Sequence, residues 1–287
     1  MFGIKAEQMN TILKLLINIV LIIGWSNQIY GQVNKIMTIN IRYDTPRDSI
    51  DRWDNRKSEL VEMVRYYEPE IFGIQEGLLN QVLYLEENLG TYARIGVGRD
   101  DGKDKGEFSA IFYNKEKLSL HKESTFWLSE TSEKISIGWD ASMERVCTYG
   151  LFERKEDRKK IWIFNTHYDH IGKVARRESS KLILQKINEI NTNNIPVVLM
   201  GDFNAEPDDE PIQLLTKDLD DASKLAKNGI YGPKGTYTGF HKNVIAKRRI
   251  DYIFTKNLRV KKYRHIDDKM KNNNYISDHL PVLIEMH

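Results

Sequence analysis

Two short polar motifs in this 287-residue chain stand beside apolar runs, where strands would end or begin. Gly201-Asp202-Phe203-Asn204 follows the apolar run 197–200, so Asp202 and Asn204 would lie on the same side of an extended chain. Ser277-Asp278-His279 precedes a second apolar run. Carboxylates, an amide and a histidine can together bind a metal ion, activate water and contact a phosphate. Each motif alone is also typical of an ordinary turn or a capped strand.

The surrounding pattern predicts the elements that would position these motifs. Alternating or continuous apolar residues predict strands at 36–42, 70–75, 108–113, 161–166, 196–200, 249–254 and 281–285. Apolar residues at helical spacing predict helices at 58–67, after Glu76 through Leu89, and at 176–190. Strands and helices that alternate in this way indicate a layered α/β fold, in which helices cover the faces of a sheet.

Several predicted strands end on a polar, chemically capable residue. A sheet that collects such residues at one edge of its strands forms a site there. The residues in these positions are Asn40, Glu76, His167, Asp202 and Asp251.

The order of these residues along the chain resembles the endonuclease/exonuclease/phosphatase superfamily. That superfamily includes deoxyribonuclease I, abasic-site endonucleases, neutral sphingomyelinases, inositol-polyphosphate 5-phosphatases and deadenylases. The resemblance extends over about residues 36–285 and implies a four-layer α/β sandwich, with two packed mixed β-sheets flanked by helices. It is specific for the superfamily and much less so for the substrate. The motifs that carry it are Asn40, Gln75-Glu76, Asn165-Thr166-His167, Gly201-Asp202-Phe203-Asn204, Arg249-Ile250-Asp251-Tyr252 and Ser277-Asp278-His279.

The resemblance implies a divalent-metal site at one end of the sandwich. The Glu76 carboxylate and the Asn40 amide would bind the metal, and Asp278 would supply a further contact. Hard oxygen ligands of this kind suit Mg²⁺, with Mn²⁺ or Ca²⁺ as alternatives. Cys147 is the single cysteine, which excludes a zinc site built from cysteines and an intramolecular disulfide.

The resemblance also implies the catalytic groups. His279 would contact the scissile phosphate and be oriented by Asp251, since a carboxylate fixes a histidine's tautomer and raises its pKa. Asp202 and Asn204 resemble the residues that deprotonate and orient the attacking water. Members of the superfamily differ on whether histidine or aspartate is the general base, so the base stays open.

Further residues are assigned to the leaving group and the substrate. By the same resemblance His167 lies beside the leaving group, and its expected partner is Glu107, just before the strand at 108–113. We expect Arg145 to bind phosphate or orient a substrate loop, and His170 to contact the substrate, with core hydrogen bonding as the alternative. The stretch around Trp127-Leu-Ser129-Glu, Gly138-Trp139-Asp140 and Arg145 resembles a secreted bacterial branch of the superfamily.

The N-terminal segment is predicted to be a signal peptide. A lysine precedes a short apolar run beginning at Leu15, and polar and small residues follow it up to Gly31. We expect cleavage after residue 31, translation from Met1 or from Met9, and a secreted or periplasmic protein; a membrane anchor and a buried helix are the alternatives. Residues 32–287 would then form a single catalytic domain.

The expected function is metal-assisted hydrolysis of a phosphodiester or a phosphomonoester by in-line attack of water. The expected His167–Glu107 and Asp251–His279 pairs favour nuclease-like chemistry slightly. The alternatives are a sugar- or inositol-phosphate phosphoesterase, a sphingomyelinase-like enzyme and, remotely, a non-catalytic binding protein of the same fold. A sphingomyelinase needs an exposed apolar loop, for which Phe240 and Ile245 are the candidates. The substrate would be a nucleic acid, a phospholipid headgroup or a sugar phosphate; the net charge of +2 does not choose among them, and we expect a monomer with no obligate protein partner.

Overall fold

The computed structural model describes residues 35–227, 229–243 and 245–286. The predicted signal segment, 1–31, lies outside them. The strands are β1 (Lys35–Asn40), β2 (Ile71–Gln75), β3 (Tyr92–Ile95), β4 (Ile111–Asn114), β5 (Leu118–Trp127), β6 (Val146–Arg154), β7 (Lys160–His167), β8 (Val197–Asp202), β9 (Asp220–Asp221), β10 (Ile230–Tyr231), β11 (Asp251–Lys256), β12 (Val260–His265) and β13 (Val282–Met286). The α-helices are α1 (Lys57–Tyr67), α2 (Leu79–Asn88), α3 (Lys173–Ile190), α4 (Glu210–Leu215) and α5 (Ala222–Leu225).

The strands form two mixed sheets. The first has the order β10-β12-β13-β1-β2-β4-β3, and the second has the order β5-β6-β7-β8-β11-β9. β1 and β2 run parallel, as do β7 and β8, whereas β11 runs antiparallel to β8. The predicted fold class, two mixed sheets flanked by helices, is confirmed.

Apolar residues define the four layers. Residues such as Ile36, Ile71, Ile163, Val198 and Val282 pack together between the two sheets. The outer face of the first sheet packs against α1 and α2, and the outer face of the second packs against α3 and α4. Burial of each such aliphatic side chain contributes about 1.5–3 kcal/mol, so the three apolar layers hold the sheets and helices together.

Two buried amides join the sheets near the edge where the polar residues collect. Gln75 Nε2 donates to Asn165 Oδ1 at 2.6 Å, and Asn165 Nδ2 donates to the backbone oxygens of Ile74 and Ala110 at 2.8 Å each. Gly73 permits this approach, because a Cβ there would lie 2.6 Å from Asn165 Oδ1. The two sheets are therefore linked by hydrogen bonds as well as by apolar contact.

Strand register carries the chemically capable residues to the same end of the sandwich. In the second sheet His167 pairs with Asp202, and Asp202 pairs with Asp251 across the next strand. In the first sheet Asn40 pairs with Gln75, and Glu76 follows directly.

The predicted elements agree with the observed ones to within a few residues, with one marked difference. The predicted strand at 108–113 begins only at Ile111, because residues 98–107 form a hairpin-like loop that leaves Phe108 in isolated bridges with Gly77 and Gly98. Within the described ranges, no helix has the length and apolar character needed to cross a membrane.

Candidate active site

The first sheet contributes an amide and a carboxylate. Asn40 ends β1, is fully buried, and donates from Nδ2 to Glu76 Oε1 at 2.9 Å and to Asp202 Oδ2 at 3.1 Å. Glu76 has a left-handed backbone, with φ of 61°, just after β2. A non-glycine residue seldom keeps this conformation without support from its surroundings, and it is common at functional sites. Glu76 Oε2 accepts from the backbone N–H of Tyr43 at 3.2 Å, which fixes the turned carboxylate.

The second sheet contributes Asp202, Asn204 and His167. Asp202 Oδ1 accepts from the Asn204 backbone N–H at 2.9 Å, and its Oδ2 lies 3.4 Å from His167 Nε2. Burial and the neighbouring Asp251 carboxylate raise the pKa of Asp202 to about 7. This carboxylate can therefore exchange a proton near neutral pH.

His167 is held in its neutral form. Asn204 Nδ2 donates to the Tyr168 backbone oxygen at 3.0 Å, and this contact distinguishes the amide nitrogen from the amide oxygen. The same nitrogen lies 3.1 Å from His167 Nε2. Nε2 is then an acceptor, so the ring proton lies on Nδ1. Burial, together with the charges of Arg145 and Arg99, holds the pKa of His167 well below its usual value.

His279 is charged instead. Its Nδ1 lies 2.9 Å from Asp251 Oδ2, and its Nε2 lies 3.8 Å from Asp202 Oδ2. Burial alone would lower the pKa of His279, but Asp251 and Asp202 outweigh it and raise the pKa well above the usual value. The two histidines of the site thus carry different charges at neutral pH.

The loop before β13 is fastened to β1. Ser277 Oγ donates to the Asn40 backbone oxygen at 2.6 Å, and Asp278 follows, nearly buried. Burial and the nearby Glu76 carboxylate raise the pKa of Asp278.

Arg56, just before α1, links the segment after β1 to the loop before β13. It has no exposed surface, and it donates from Nη1 to Ile41 O at 2.5 Å and Ile276 O at 3.2 Å, and from Nη2 to Arg42 O at 2.8 Å.

The donor set fits a divalent cation. Burial, with a smaller contribution from neighbouring carboxylates, raises the pKa of Asp202 and of Asp278, so a cation bound beside them would stabilise their charged forms. Asn40, Glu76 and Asp278 offer the oxygen ligands that Mg²⁺ prefers. Potential ligand atoms of Asp202, Asp251 and His279 also lie within 4.8 Å of one another. Because Asp251 is already bound to His279 Nδ1, we regard that trio as a hydrogen-bonded set and not as a second cation site.

The expected pair of His167 and Glu107 is not hydrogen-bonded. Glu107 Oε2 lies 3.8 Å from His167 Nδ1, and both Glu107 oxygens are bound by Arg99, at 2.8 and 3.0 Å. The two residues are neighbours, as expected, but a bidentate guanidinium is the stronger partner for a carboxylate, so Glu107 is hydrogen-bonded to Arg99. Arg99 was missed because it stands in a polar loop with no periodic pattern.

Arg145 and His170 lie together on the far side of His167. Arg145 is 4% exposed, its Nη2 lies 3.1 Å from His170 Nδ1, and its Nε lies 3.4 Å from Asp169 Oδ2. Cys147 is buried in β6.

A cavity of about 670 Å³ opens above these groups. Its floor includes Glu76, Asp202, Asn204, Asp278 and His279, and Glu107, His167, Arg145 and His170 also line it. The structure therefore brings nine of the eleven candidate residues to one pocket. The other two contact this group from outside the pocket: Asn40 is bound to Glu76 and Asp202, and Asp251 is bound to His279. Lining residues that the sequence did not reveal are Arg42, Tyr43, Arg99, Met143, Lys173, Arg176, Asp209, Tyr237, Arg248 and Ile250.

Comparison with known proteins agrees with this geometry. A solved endonuclease/exonuclease/phosphatase family protein from Bacteroides thetaiotaomicron is 37% identical, with a TM-score of 0.85 over 89% of this chain and 97% of that one. The mannosyl-6-phosphatase of Bacteroides thetaiotaomicron VPI-5482 is also 37% identical, with a TM-score of 0.85 over 88% of this chain and 99% of that one. A probable RNA exonuclease of Saccharomyces cerevisiae, NGL3, is 28% identical over 58% of this chain. The matched region covers 35% of that protein's length.

The family model described as "Endonuclease/Exonuclease/phosphatase family" matches residues 37–279. Members of this family hydrolyse phosphoester bonds, and the match includes every candidate residue named above. This chain belongs to the endonuclease/exonuclease/phosphatase family and is a hydrolase of phosphoester bonds.

Proposed function

We propose that the protein is a divalent-metal-dependent phosphatase that removes a phosphate monoester from a sugar. The observation that carries this proposal is the bounded cavity of about 670 Å³, with the acidic and histidine groups on its floor and cationic side chains on its wall. Pockets that enclose small ligands measure about 300–1,000 Å³, so a sugar phosphate fits this volume. The likeness to a mannosyl-6-phosphatase over nearly the whole of that chain supports the same substrate class.

We propose that Asn40, Glu76 and Asp278 hold the cation, which is Mg²⁺ or Mn²⁺. A divalent cation bound there supplies positive charge to the phosphoryl group and to the departing oxygen. The imidazolium of His279, held by Asp251, donates a hydrogen bond to a phosphoryl oxygen. The interaction of this imidazolium with the phosphoryl oxygens is strongest in the transition state, where those oxygens gain negative charge.

We assign the attacking water to Asp202 and Asn204. A pKa of about 7 lets Asp202 accept a proton from that water, and the backbone N–H of Asn204 keeps the carboxylate turned towards it. His167 has its Nε2 lone pair engaged by Asn204, so it positions this amide and does not itself deliver a proton from Nε2. The weak link between His167 and Glu107 also reduces the case for nuclease-like chemistry.

We further propose that the protein is exported, with residues 1–31 as the signal peptide and residues 32–287 as one catalytic domain. Expression in a bacterial host, followed by N-terminal sequencing of the exported form, tests this. A mature N-terminus near Gln32 is expected; full-length protein retained in the membrane fraction contradicts it.

A substrate panel tests the activity. Initial rates are measured with Mg²⁺ or Mn²⁺ on mannose 6-phosphate, glucose 6-phosphate, bis-p-nitrophenyl phosphate, an RNA oligonucleotide and sphingomyelin vesicles. We expect the sugar phosphates to be hydrolysed fastest and EDTA to stop the reaction. The likeness to a probable RNA exonuclease favours RNA as the substrate instead. Faster hydrolysis of the RNA, or of either other diester, refutes the phosphatase proposal. Activity that survives EDTA refutes the metal requirement.

A further inference from the structure

The wall of the cavity on the β6 side carries three cationic side chains and a histidine. Arg145, His170, Lys173 and Arg176 all line the cavity there. Among the described residues, the only carboxylate within ion-pair distance of these side chains is Asp169, 3.4 Å from Arg145 Nε. Lys173 and Arg176 have no acidic partner within the described ranges. This end of the pocket therefore carries an excess of positive charge.

Asp169 carries one negative charge and offsets only part of that excess, and its oxygens also accept hydrogen bonds from neutral donors. Oδ1 accepts from the backbone N–H groups of Ile171 and Gly172, at 2.9 and 2.7 Å. Oδ2 accepts from the backbone N–H and the hydroxyl of Ser142, at 3.1 and 2.8 Å. The contact from Arg145 Nε is the longest of the five, so Asp169 mainly fixes the loop that presents these cations.

Arg145, which lines the pocket, has one donor without a partner. Its Nη1 is buried and makes no hydrogen bond within the described residues. Leaving a donor of a charged group buried and unpaired costs free energy, so a water or a ligand is expected to supply the acceptor. An oxyanion of the substrate is the acceptor that a guanidinium matches best.

Strand register separates this group from the catalytic end. Cys147 pairs with Thr166 and His167 pairs with Asp202, so Arg145 stands two strands away from Asp202 along the same edge of the sheet. Neighbouring strands lie about 4.8 Å apart, which puts the backbones of Arg145 and Asp202 about 10 Å from each other. The Arg145 guanidinium contacts Asp169 and His170 instead of Asp202. One hexose ring can span the distance between the two ends.

We propose that Arg145, Lys173 and Arg176, with His170, form a second anion-binding subsite that takes a phosphate or carboxylate group on the leaving-group side of the substrate. This inference rests on the proposed sugar-phosphatase function. It narrows the substrate class to sugar phosphates that carry a second negative group.

Two matched pairs of compounds test the subsite on the purified protein. Glucose 1,6-bisphosphate is compared with glucose 6-phosphate for a second phosphate, and 6-phosphogluconate is compared with sorbitol 6-phosphate for a carboxylate. We expect kcat/KM to be about 10-fold or more higher for at least one doubly anionic compound than for its partner, the gain expected of one charge-assisted hydrogen bond. The pair that shows the preference identifies the second group. Equal kcat/KM within both pairs overturns the subsite, while turnover of the singly charged compounds leaves the phosphatase proposal standing.

Neighbouring arginines on α3 provide a matched comparison. Arg176→Gln should reduce the preference for the second anion about 10-fold. Arg177→Gln should not change it, because Arg177 is paired with Glu178 and lies outside the cavity. Equal losses from Arg176→Gln on both members of a pair contradict an anion subsite.

Calorimetric titration of the same four compounds into EDTA-treated protein measures the subsite without turnover. We expect tighter binding of the doubly anionic compounds, and weaker binding after Arg176→Gln. Equal binding of all four compounds overturns the subsite, whether or not any sugar phosphate is hydrolysed. Absence of sugar-phosphate hydrolysis, by contrast, refutes the phosphatase function and leaves the binding result to decide the subsite.

Discussion

Replacing Asp202 with asparagine should stabilise the metal-free protein at alkaline pH while it abolishes hydrolysis. Asp202 is buried beside Asp251, and its carboxylate has a pKa of about 7. In the unfolded chain an aspartate has a pKa of about 3.9. The folded metal-free protein therefore keeps Asp202 charged at a cost that asparagine does not incur.

The magnitude follows from the difference between these pKa values. A folded-state pKa above the unfolded value means that the folded state binds the proton more tightly, so stability falls as the pH rises from about 4 to about 7. The penalty is about 1.5 kcal/mol at pH 5 and about 4 kcal/mol at pH 8, from 1.36 kcal/mol per pKa unit. Asparagine loses the hydrogen bond that Asp202 Oδ2 accepts from Asn40, which costs about 1–2 kcal/mol. The variant should therefore match the wild type at pH 5 and exceed it by about 2–3 kcal/mol at pH 8.

Urea unfolding in EDTA at pH 5 and pH 8 measures this difference, with Asp221→Asn as the matched control. Burial opposes the charge of Asp221, but Arg249 Nη2 binds its Oδ2 at 2.6 Å and keeps the pKa low. Removing that charge leaves Arg249 buried and unpaired, so Asp221→Asn should destabilise the protein by about 3–5 kcal/mol. If the free energy of unfolding of Asp202→Asn does not rise relative to that of the wild type between pH 5 and pH 8, the electrostatic reasoning is wrong.

Mg²⁺ should reduce the advantage of the asparagine variant. A cation that binds only the folded state stabilises a protein by about 2.7 kcal/mol at a concentration 100-fold above its Kd. The variant keeps the ligands Asn40, Glu76 and Asp278, so Mg²⁺ at pH 8 should stabilise both proteins, and the wild type more, because its charged Asp202 lies beside Asn40. An equal shift of both proteins would show that the charge of Asp202 does not strengthen cation binding.

Three further substitutions test other parts of the site. His279→Gln should reduce kcat on a sugar phosphate about 10³-fold or more, whereas His121→Gln, at a half-exposed position away from the cavity, should leave it unchanged; comparable rates for the two variants refute the role of His279. Arg56→Lys should lower the free energy of unfolding by about 3 kcal/mol or more, because lysine cannot donate to all the carbonyls of the two linked segments. The same variant should bind Mg²⁺ more weakly in calorimetry. An unchanged Mg²⁺ affinity refutes the role of Arg56 in joining these segments. Gly201→Ala should abolish soluble folded protein, measured by circular dichroism, since φ is 145° and a Cβ would lie 2.0 Å from the Thr166 oxygen; a folded alanine variant contradicts the register of β7 and β8.

The sequence predicted the chemical floor of the site because its residues stand at strand ends. Asn40, His167 and Asp202 each close a strand, and parallel neighbours bring such ends to the same edge. Asp251 begins β11, but the antiparallel pairing with β8 reverses the direction and places it beside Asp202. Position at a strand end therefore predicted that Asn40, His167 and Asp202 lie together, whereas the expectation that Asp251 also ends a strand was wrong.

The wall of the pocket could not be predicted in the same way. Arg99 and Arg176 lie in a loop and on a helix, and neither stands in a pattern that distinguishes it from a solvated arginine. Whether Glu107 binds a histidine or an arginine depends on the path of the loop from 98 to 107, which is set by backbone hydrogen bonds such as Gly98 N to Lys103 O at 2.9 Å. Charge partners across loops depend on three-dimensional distances, and those distances separate the substrates within this family.

The polar residues that precede Glu76 and His167 acquire a structural explanation. Gln75 and Asn165 look like part of the chemical motifs, but they face each other across the two sheets and bind at 2.6 Å. Asn40 ends a strand of the first sheet and His279 precedes another, whereas Asp202 ends a strand of the second sheet and contacts both, so the site requires that the sheets do not slide. An apolar interface alone tolerates such sliding, because dispersion contacts are not directional. The buried amide pair is directional and costly to break, so it fixes the relative position of the two halves to within a hydrogen bond's tolerance.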